Sequence, residues 1–374
     1  MAIFIFAAAL LIIFFLWSRR KKTGGSSVPK AGIGKINYPI PDDDGAPEKI
    51  SLAEAQRQVW RESYPALKDI SYARAHEDFS PMTEPEVNPA IVKAVKEKIA
   101  NLKSIPVNYF SLMNSLRNPE ANAGEISAMV MTNPVVSARI LQTVNSAYFN
   151  LPDKITSVGR AITLLGFNNV RAIFFQDALK EMLPAERFGT SETYAQTWAH
   201  SAVVSVCSGH LGKQLFQYSE YELATLGLLH DIGKYFIGLL EPLAEEAAEL
   251  PLPLLLREER KYGINHAALG GLIAHNWQLS DSIVQGIAYH HHPVFSSPEA
   301  IPELYRINSF VISLSDLICK ALGYGAGDGE LWQIKSDYYE SFKLEPDIMG
   351  FITPELIKKI EKTYLTVQSY IATS

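Results

Sequence analysis

The 374-residue chain contains nine histidines, and their spacing raises the first question. His200 stands alone, His230 and Asp231 form a doublet in LLHDIGK, and His266 follows. His290, His291 and His292 are consecutive, and Asp316 sits in SLSDL. Imidazole nitrogens and carboxylate oxygens suit Fe, Mn or Zn, with Mg as the oxygen-seeking member of the set. One or two such divalent ions would neutralise a phosphoester and make a water nucleophilic at neutral pH. An Asp beside a His can bridge two ions. Neighbours on a straight helix diverge by about 100°, so such a doublet reaches one site best near a helix end. Gly233 is consistent with that end, and Lys234 is placed to contact a phosphate. The competing readings are structural: a buried hydrogen-bonded pair at His230 and Asp231, and a solvated helix end at residues 290–292. His275 lies nine residues after His266, on the opposite helix face, and His76 and His210 read as surface residues. Cys207 and Cys319 read as small core residues, and Asp281 after Ser280 as a first-turn acid.

The elements that must carry these residues are helical. Ile91, Val95 and Ile99 repeat every four residues, as do Val136, Ile140 and Val144 on a helix opened by Asn133 and Pro134. Gly166 is the expected C-cap of the next helix, and Asn168 or Asn169 the expected start of NNVRAIFFQDALKEML. A second helical block runs from about Glu192 through INHAALGGLIAHNW to RINSFVISLSDLICKALGYG. No run of alternating strands is present, so the fold class is all-α. In the tail, Ile357, Ile360, Tyr364 and Val367 share a helix face that packs back on the domain or meets a partner.

Composition narrows the function classes. At 47% hydrophobic the chain can bury a full core, and a net charge of −6 with interspersed signs argues against a nucleic-acid partner. AITLLGFNNVRAIFF has a helix-turn-helix look, but its second helix offers only Arg171 as a base. Two cysteines form no readable disulfide framework. Met1 to Trp17 is an unbroken apolar run followed by Arg19, Arg20, Lys21 and Lys22. A helix of that run spans roughly 25 Å, and Trp17 with the snorkelling arginines makes up the rest of a ~30 Å hydrocarbon core. The basic cluster follows the run and no small-residue cleavage site is seen, which favours an uncleaved single-pass anchor in the inner membrane with the bulk in the cytoplasm. The expected organisation is an anchor over 1–18, a Gly-, Ser- and Pro-rich tether with a peripheral arm over 19–87, a helical domain over 88–325 divided near 190, and a helical tail over 326–374.

The first block resembles the HDOD family. MTNPVVSARILQTVNSAYFNLPDKITSVGRAITLLGFNNVRAIFF carries Asn145-Ser146-Ala147 and the ITSVGRAITLLG element, and the second block adds Trp198-Ala199-His200-Ser201, GLLHDIGK, HHHP and SLSD. The resemblance implies an N-terminal helical bundle abutting a bundle like that of the HD phosphohydrolases, and a role in bacterial signal transduction. It also implies metal ligands at His200, His230, Asp231 and Asp316, an added ligand at His266, and a histidine pair among residues 290–292, with His290 and His291 favoured. The GYP element of the cyclic-di-GMP phosphodiesterases is absent, and Pro293 stands where those enzymes carry an acid. Specific cyclic-di-GMP hydrolysis is therefore not implied. The expectation is a membrane-tethered signalling module with an HD-like metal site. The alternative is an active metal-dependent phosphohydrolase acting on a nucleotide or other phosphoester, with Lys234 and Asp231 in catalysis. A protein signalling partner belongs with the first reading.

Overall fold

The computed structural model describes residues 79–100, 122–131, 134–146, 149, 151–182, 192–218, 220–243, 253–325 and 331–373. The anchor, and the tether up to residue 78, lie outside these. Every described regular element is a helix, as expected. Among the described residues no helix is long and apolar enough to cross a membrane.

Four helices form the first group: α2 (Ala123–Val130), α3 (Pro134–Val144), α4 (Val158–Leu165) and α5 (Phe167–Met182), the helix before them being α1 (Pro89–Ala100). Val136, Ile140 and Val144 all point inward on α3, which is why a four-residue repeat makes this helix a core element. Asn145 closes the turn that follows, accepting from Ile155 N–H at 2.7 Å and donating to its carbonyl at 2.7 Å. Gly166 caps α4 at φ 82°, a conformation open to glycine at little cost. The next helix begins at Phe167, ahead of the expected Asn168 or Asn169. Asn169 instead turns its side-chain amide back to the Leu165 carbonyl, at 2.8 Å, and so bonds inside the turn it was expected to open.

The second group holds the long α6 (Glu192–Phe216), α7 (Glu220–Leu229), α8 (Ile232–Ile237), α9 (Leu254–Tyr262), α10 (His266–Asn276), α11 (Asp281–Ala288), the short α12 (His292–Phe295) and α13 (Arg306–Ala321). Helix α6 packs along α7 and α13 and also touches α5. The tail supplies α14 (Ser336–Ser341), α15 (Ile348–Phe351) and α16 (Pro354–Thr373). Helix α16 packs on α6, α3 and α5, burying Leu356, Ile360, Val367 and Tyr370. Its apolar face is thus used within the chain.

Two segments pack against neighbours that the residue pattern alone does not identify. The arm residues 79–87 lie against the second group. Met82 N–H donates to Glu259 at 2.8 Å, Phe79 meets Phe295 edge-on at 5.1 Å, and Val87 is buried. Helix α1 lies on α10, so its Val95 and Ile99 belong to the same core.

Candidate metal centre

His230 and Asp231 occupy the break between α7 and α8, where Asp231 has φ −97° and ψ 15°. The break resolves the 100° problem, because the chain turns between the two side chains. Helix α8 then presses on α10 so closely that a Cβ at Gly233 would run into the backbone of His266 and Gly270. This contact brings His266, the first residue of α10, to Asp231. His290 and His291 lie in the turn between α11 and α12, again at helix ends. His200 and Asp316 come from the middles of α6 and α13.

These residues converge. His200 Nε2 is 2.9 Å from Asp316 Oδ1 and 3.9 Å from Asp231 Oδ2. His230 Nε2 is 3.3 Å from Asp231 Oδ2. On the other side, His266 and His290 Nε2 lie 3.4 and 3.8 Å from Asp231 Oδ1, and His266 Nε2 is 3.0 Å from His291 Nε2. The donors fall into two metal-sized groups, His200–His230–Asp231 and Asp231–His266–His290–His291, and Asp231 is common to both. His292 points elsewhere, against the Tyr289 ring at 4.7 Å. His290 and His292 are buried, which removes the solvated-helix-end reading. His275 is exposed, and His210 half-buried.

Backbone carbonyls orient the imidazoles. The Nδ1 atoms of His200, His230 and His290 lie 2.7, 2.8 and 2.6 Å from the carbonyls of Tyr324, Gly227 and Ile287. A carbonyl only accepts, so each Nδ1 carries a proton and each Nε2 is the nitrogen turned inward, free to ligate once it is unprotonated. Those three Nε2 atoms and Asp231 Oδ1 are buried without a well-aligned hydrogen bond, while Lys234 Nζ lies 2.9 Å from Asp231 Oδ2 and His200 Nε2 lies 2.9 Å from Asp316 Oδ1. Buried acceptors facing one another repel unless a cation lies between them. The residues present therefore fit a metal pair, with two histidines and Asp231 in one half, three histidines and the same Asp231 in the other, and Asp316 beside His200.

The charges of the site are set by its neighbours. Burial disfavours ionisation of Asp231, but His230 and Lys234, whose Nζ is 2.9 Å away, outweigh it and hold the carboxyl well below the usual range. Asp316 behaves alike, with Lys320 at 3.0 Å and His200 overcoming burial. Burial and then the neighbouring imidazoles push His290 and His291 well down, which keeps them neutral and able to ligate. Burial also works against the charged form of His266, but Glu258 outweighs it and raises its pKa.

Several contributors carry no sequence signal: Glu258, Lys320 and the carbonyls of Tyr324, Gly227 and Ile287. Glu258 accepts from both the backbone N–H and Nδ1 of His266, at 2.8 and 2.7 Å. It fixes the ring and makes it a stronger ligand. Glu258→Gln is expected to weaken metal binding about 10- to 100-fold, read by competition with a calibrated chelator, with helicity unchanged.

A second prediction concerns acid. Burial lowers His292 to about 4 from 6.5. Above pH 6.5 neither folded nor unfolded chain binds this proton, so stability is full. As pH falls from 6.5 towards 4 the unfolded chain takes up the proton alone, and stability drops by about 3 kcal/mol. In metal-stripped protein, His292→Leu is expected to flatten this limb of a urea-midpoint-against-pH curve. An unchanged slope would remove His292 from the account.

The HDOD domain family matches residues 102–293, and the chain belongs to that family. The match ends before Asp316, so this residue joins the centre on the evidence of its position. Solved structures with a similar fold include a Shewanella amazonensis SB2B protein provisionally named a phosphohydrolase (TM-score 0.53, 21% identity, 74% of this chain and 98% of that one). An HDOD domain protein of unknown function from Geobacter sulfurreducens is similar (0.52, 18%, 75% and 98%). So is a Marinobacter aquaeolei VT8 protein provisionally named for signal transduction (0.53, 16%, 86% and 67%). Among curated proteins, an uncharacterized Treponema pallidum (strain Nichols) protein is 19% identical over 262 residues. Those residues are 69% of this chain, which spans about half the length of that relative.

Proposed function

We propose that the chain is a membrane-anchored cytoplasmic signalling module of the HDOD type, an N-terminal helical bundle abutting an HD-like bundle whose centre holds one or two divalent ions. The observation that carries the reading is the pair of metal-sized donor groups that share Asp231, into which the buried Nε2 atoms of His200, His230 and His290 turn without a hydrogen-bond partner. His200, His230, Asp231, His266, His290, His291 and Asp316 are the ligands in this reading. Fe, Mn or Zn suits their imidazole-rich character better than Mg. A protein partner would receive the signal.

The completeness of the donor set, with Lys234 against the shared Asp231, favours a second reading: phosphohydrolysis of a nucleotide or other phosphoester. Bound ions would supply charge neutralisation and an activated water. The protein's own part is to hold the ligands in one tautomer, keep His290 and His291 unprotonated, and offer Lys234 to the phosphate.

Elemental analysis of the purified full-length chain tests the centre, with near-stoichiometric Fe, Mn or Zn expected. A metal-free protein after reconstitution rejects it. Turnover of phosphodiesters and cyclic dinucleotides with added Mn separates the readings, since bound metal without turnover supports the signalling module alone. The anchor has its own test. Leu10→Arg with Ile12→Arg is expected to leave the membrane fraction, and a soluble, shortened wild type would mean processing.

A further inference from the structure

The metal centre borders a cleft. A cavity of about 30 Å³ touches His266, His291 and Asp316, with Lys320, Leu254 and Trp332 around it. That is space for about two waters, which suits one phosphoryl-sized group. Trp332 reaches it from the tail segment 331–335, which is strapped over α12. Lys335 N–H donates to the Pro293 carbonyl at 3.0 Å, and the Trp332 ring lies 5.8 Å from Phe295, itself in contact with Phe79. Lys320 lies one helical turn after Asp316 on α13, its side chain 9% exposed and its Nζ 3.0 Å from Asp316 Oδ2. A largely desolvated ammonium at the wall of a small cavity is a strong anion donor.

Charge points the same way. Three carboxylates (Asp231, Asp316 and Glu258) face two ammonium groups (Lys234 and Lys320). Two divalent ions would leave the centre with a surplus of positive charge opening on this cleft, and a compact oxyanion is the group that would balance it. The inference rests on the metal reading proposed above. We propose that Lys320 and Trp332 select the ligand of this centre: Lys320 contacts a single phosphoryl-sized oxyanion, and Trp332 roofs the cleft against bulkier diesters. Inorganic phosphate and a phosphomonoester share that chemistry.

The test uses the full-length chain, loaded with Mn and assayed for metal before any anion is added. Calorimetry with inorganic phosphate, phenyl phosphate and diphenyl phosphate follows at fixed ionic strength. Lys320→Met is expected to weaken phosphate binding about 10-fold or more while metal is retained, and Lys320→Arg to recover most of it. Trp332→Ala is expected to admit diphenyl phosphate, which wild type refuses, and to speed metal loss to a chelator about 10-fold. Trp332→Phe should stay near wild type. Phenyl phosphate binding as well as phosphate points to a monoester ligand, and phosphate binding alone to the free ion; both support the proposal. A loaded chain in which Lys320→Met leaves phosphate affinity unchanged, or whose wild type binds the diester as tightly as phosphate, overturns this inference alone. A chain that takes up no metal overturns the proposed function and this inference with it.

Discussion

Asp231→Asn is expected to empty both halves of the centre at once, whereas His200→Ala empties only one. The asymmetry follows from geometry. Asp231 Oδ2 lies 3.3 Å from His230 Nε2, and Oδ1 lies 3.4 Å from His266 Nε2, so one carboxylate faces both donor groups. The amide of Asn is neutral, and its nitrogen cannot act as an acceptor. Each ion therefore loses its shared anionic ligand, and Asp316, beside His200, faces one half only. His200 belongs to one group only, so its loss should leave the His266–His290–His291 half occupied. Metal per chain, by elemental analysis after exhaustive dialysis, should fall to background in Asp231→Asn and to about half of wild type in His200→Ala, if two ions of comparable affinity bind. Equal losses in the two variants would mean a single ion. Full retention in Asp231→Asn would end the shared-carboxylate account.

Much of this centre could be read from residue order, and the limits of that reading are physical. The LLHDIGK doublet, the lone His200 and the pair His290 and His291 are side chains with few uses in an apolar helix, so they stand out. Glu258 does not. It is one of two adjacent acids in LLLREERKY, and only the packing of α9 against α10 tells it from Glu259, which serves the arm instead. The carbonyls that orient His200, His230 and His290 are backbone atoms and have no sequence signature. Trp332 lies some sixteen residues beyond Asp316 past a glycine-rich stretch, and its approach to the cleft depends on where the strap is pinned. The helices were legible because burial follows their period, as at Val136, Ile140 and Val144. The neighbours of α1 were not, because one amphipathic stripe fits any apolar face.

Arg139→Met is expected to destabilise the fold strongly, although the residue lies outside the centre. Arg139 on α3 pairs with Asp177 on α5 and donates to the Tyr370 hydroxyl on α16 at 2.9 Å. Tyr370 in turn donates to Asp177 Oδ1 at 2.7 Å, and its ring lies 5.5 Å from Trp198 on α6. The network thus joins the first helical group, the tail and the helix that carries His200. Removing the guanidinium leaves the Asp177 carboxylate, 5% exposed, with one hydroxyl for company. Breaking a buried pair in this way costs about 3–5 kcal/mol. The guanidinium is a quarter exposed, which brings the expectation to about 2–4 kcal/mol. Tyr370→Phe, which removes only the hydroxyl, should cost about 1 kcal/mol. Adding Asp177→Leu to Arg139→Met should recover more than half of the loss, because no charge then remains to be compensated. Urea unfolding of the four proteins measures all three terms. A cost below about 0.5 kcal/mol for Arg139→Met would make the network incidental. Metal content decides what the network does for the centre. Trp198 sits two residues before His200, so a variant that stays folded yet binds metal more weakly would place the tail helix among the elements that hold His200 in line.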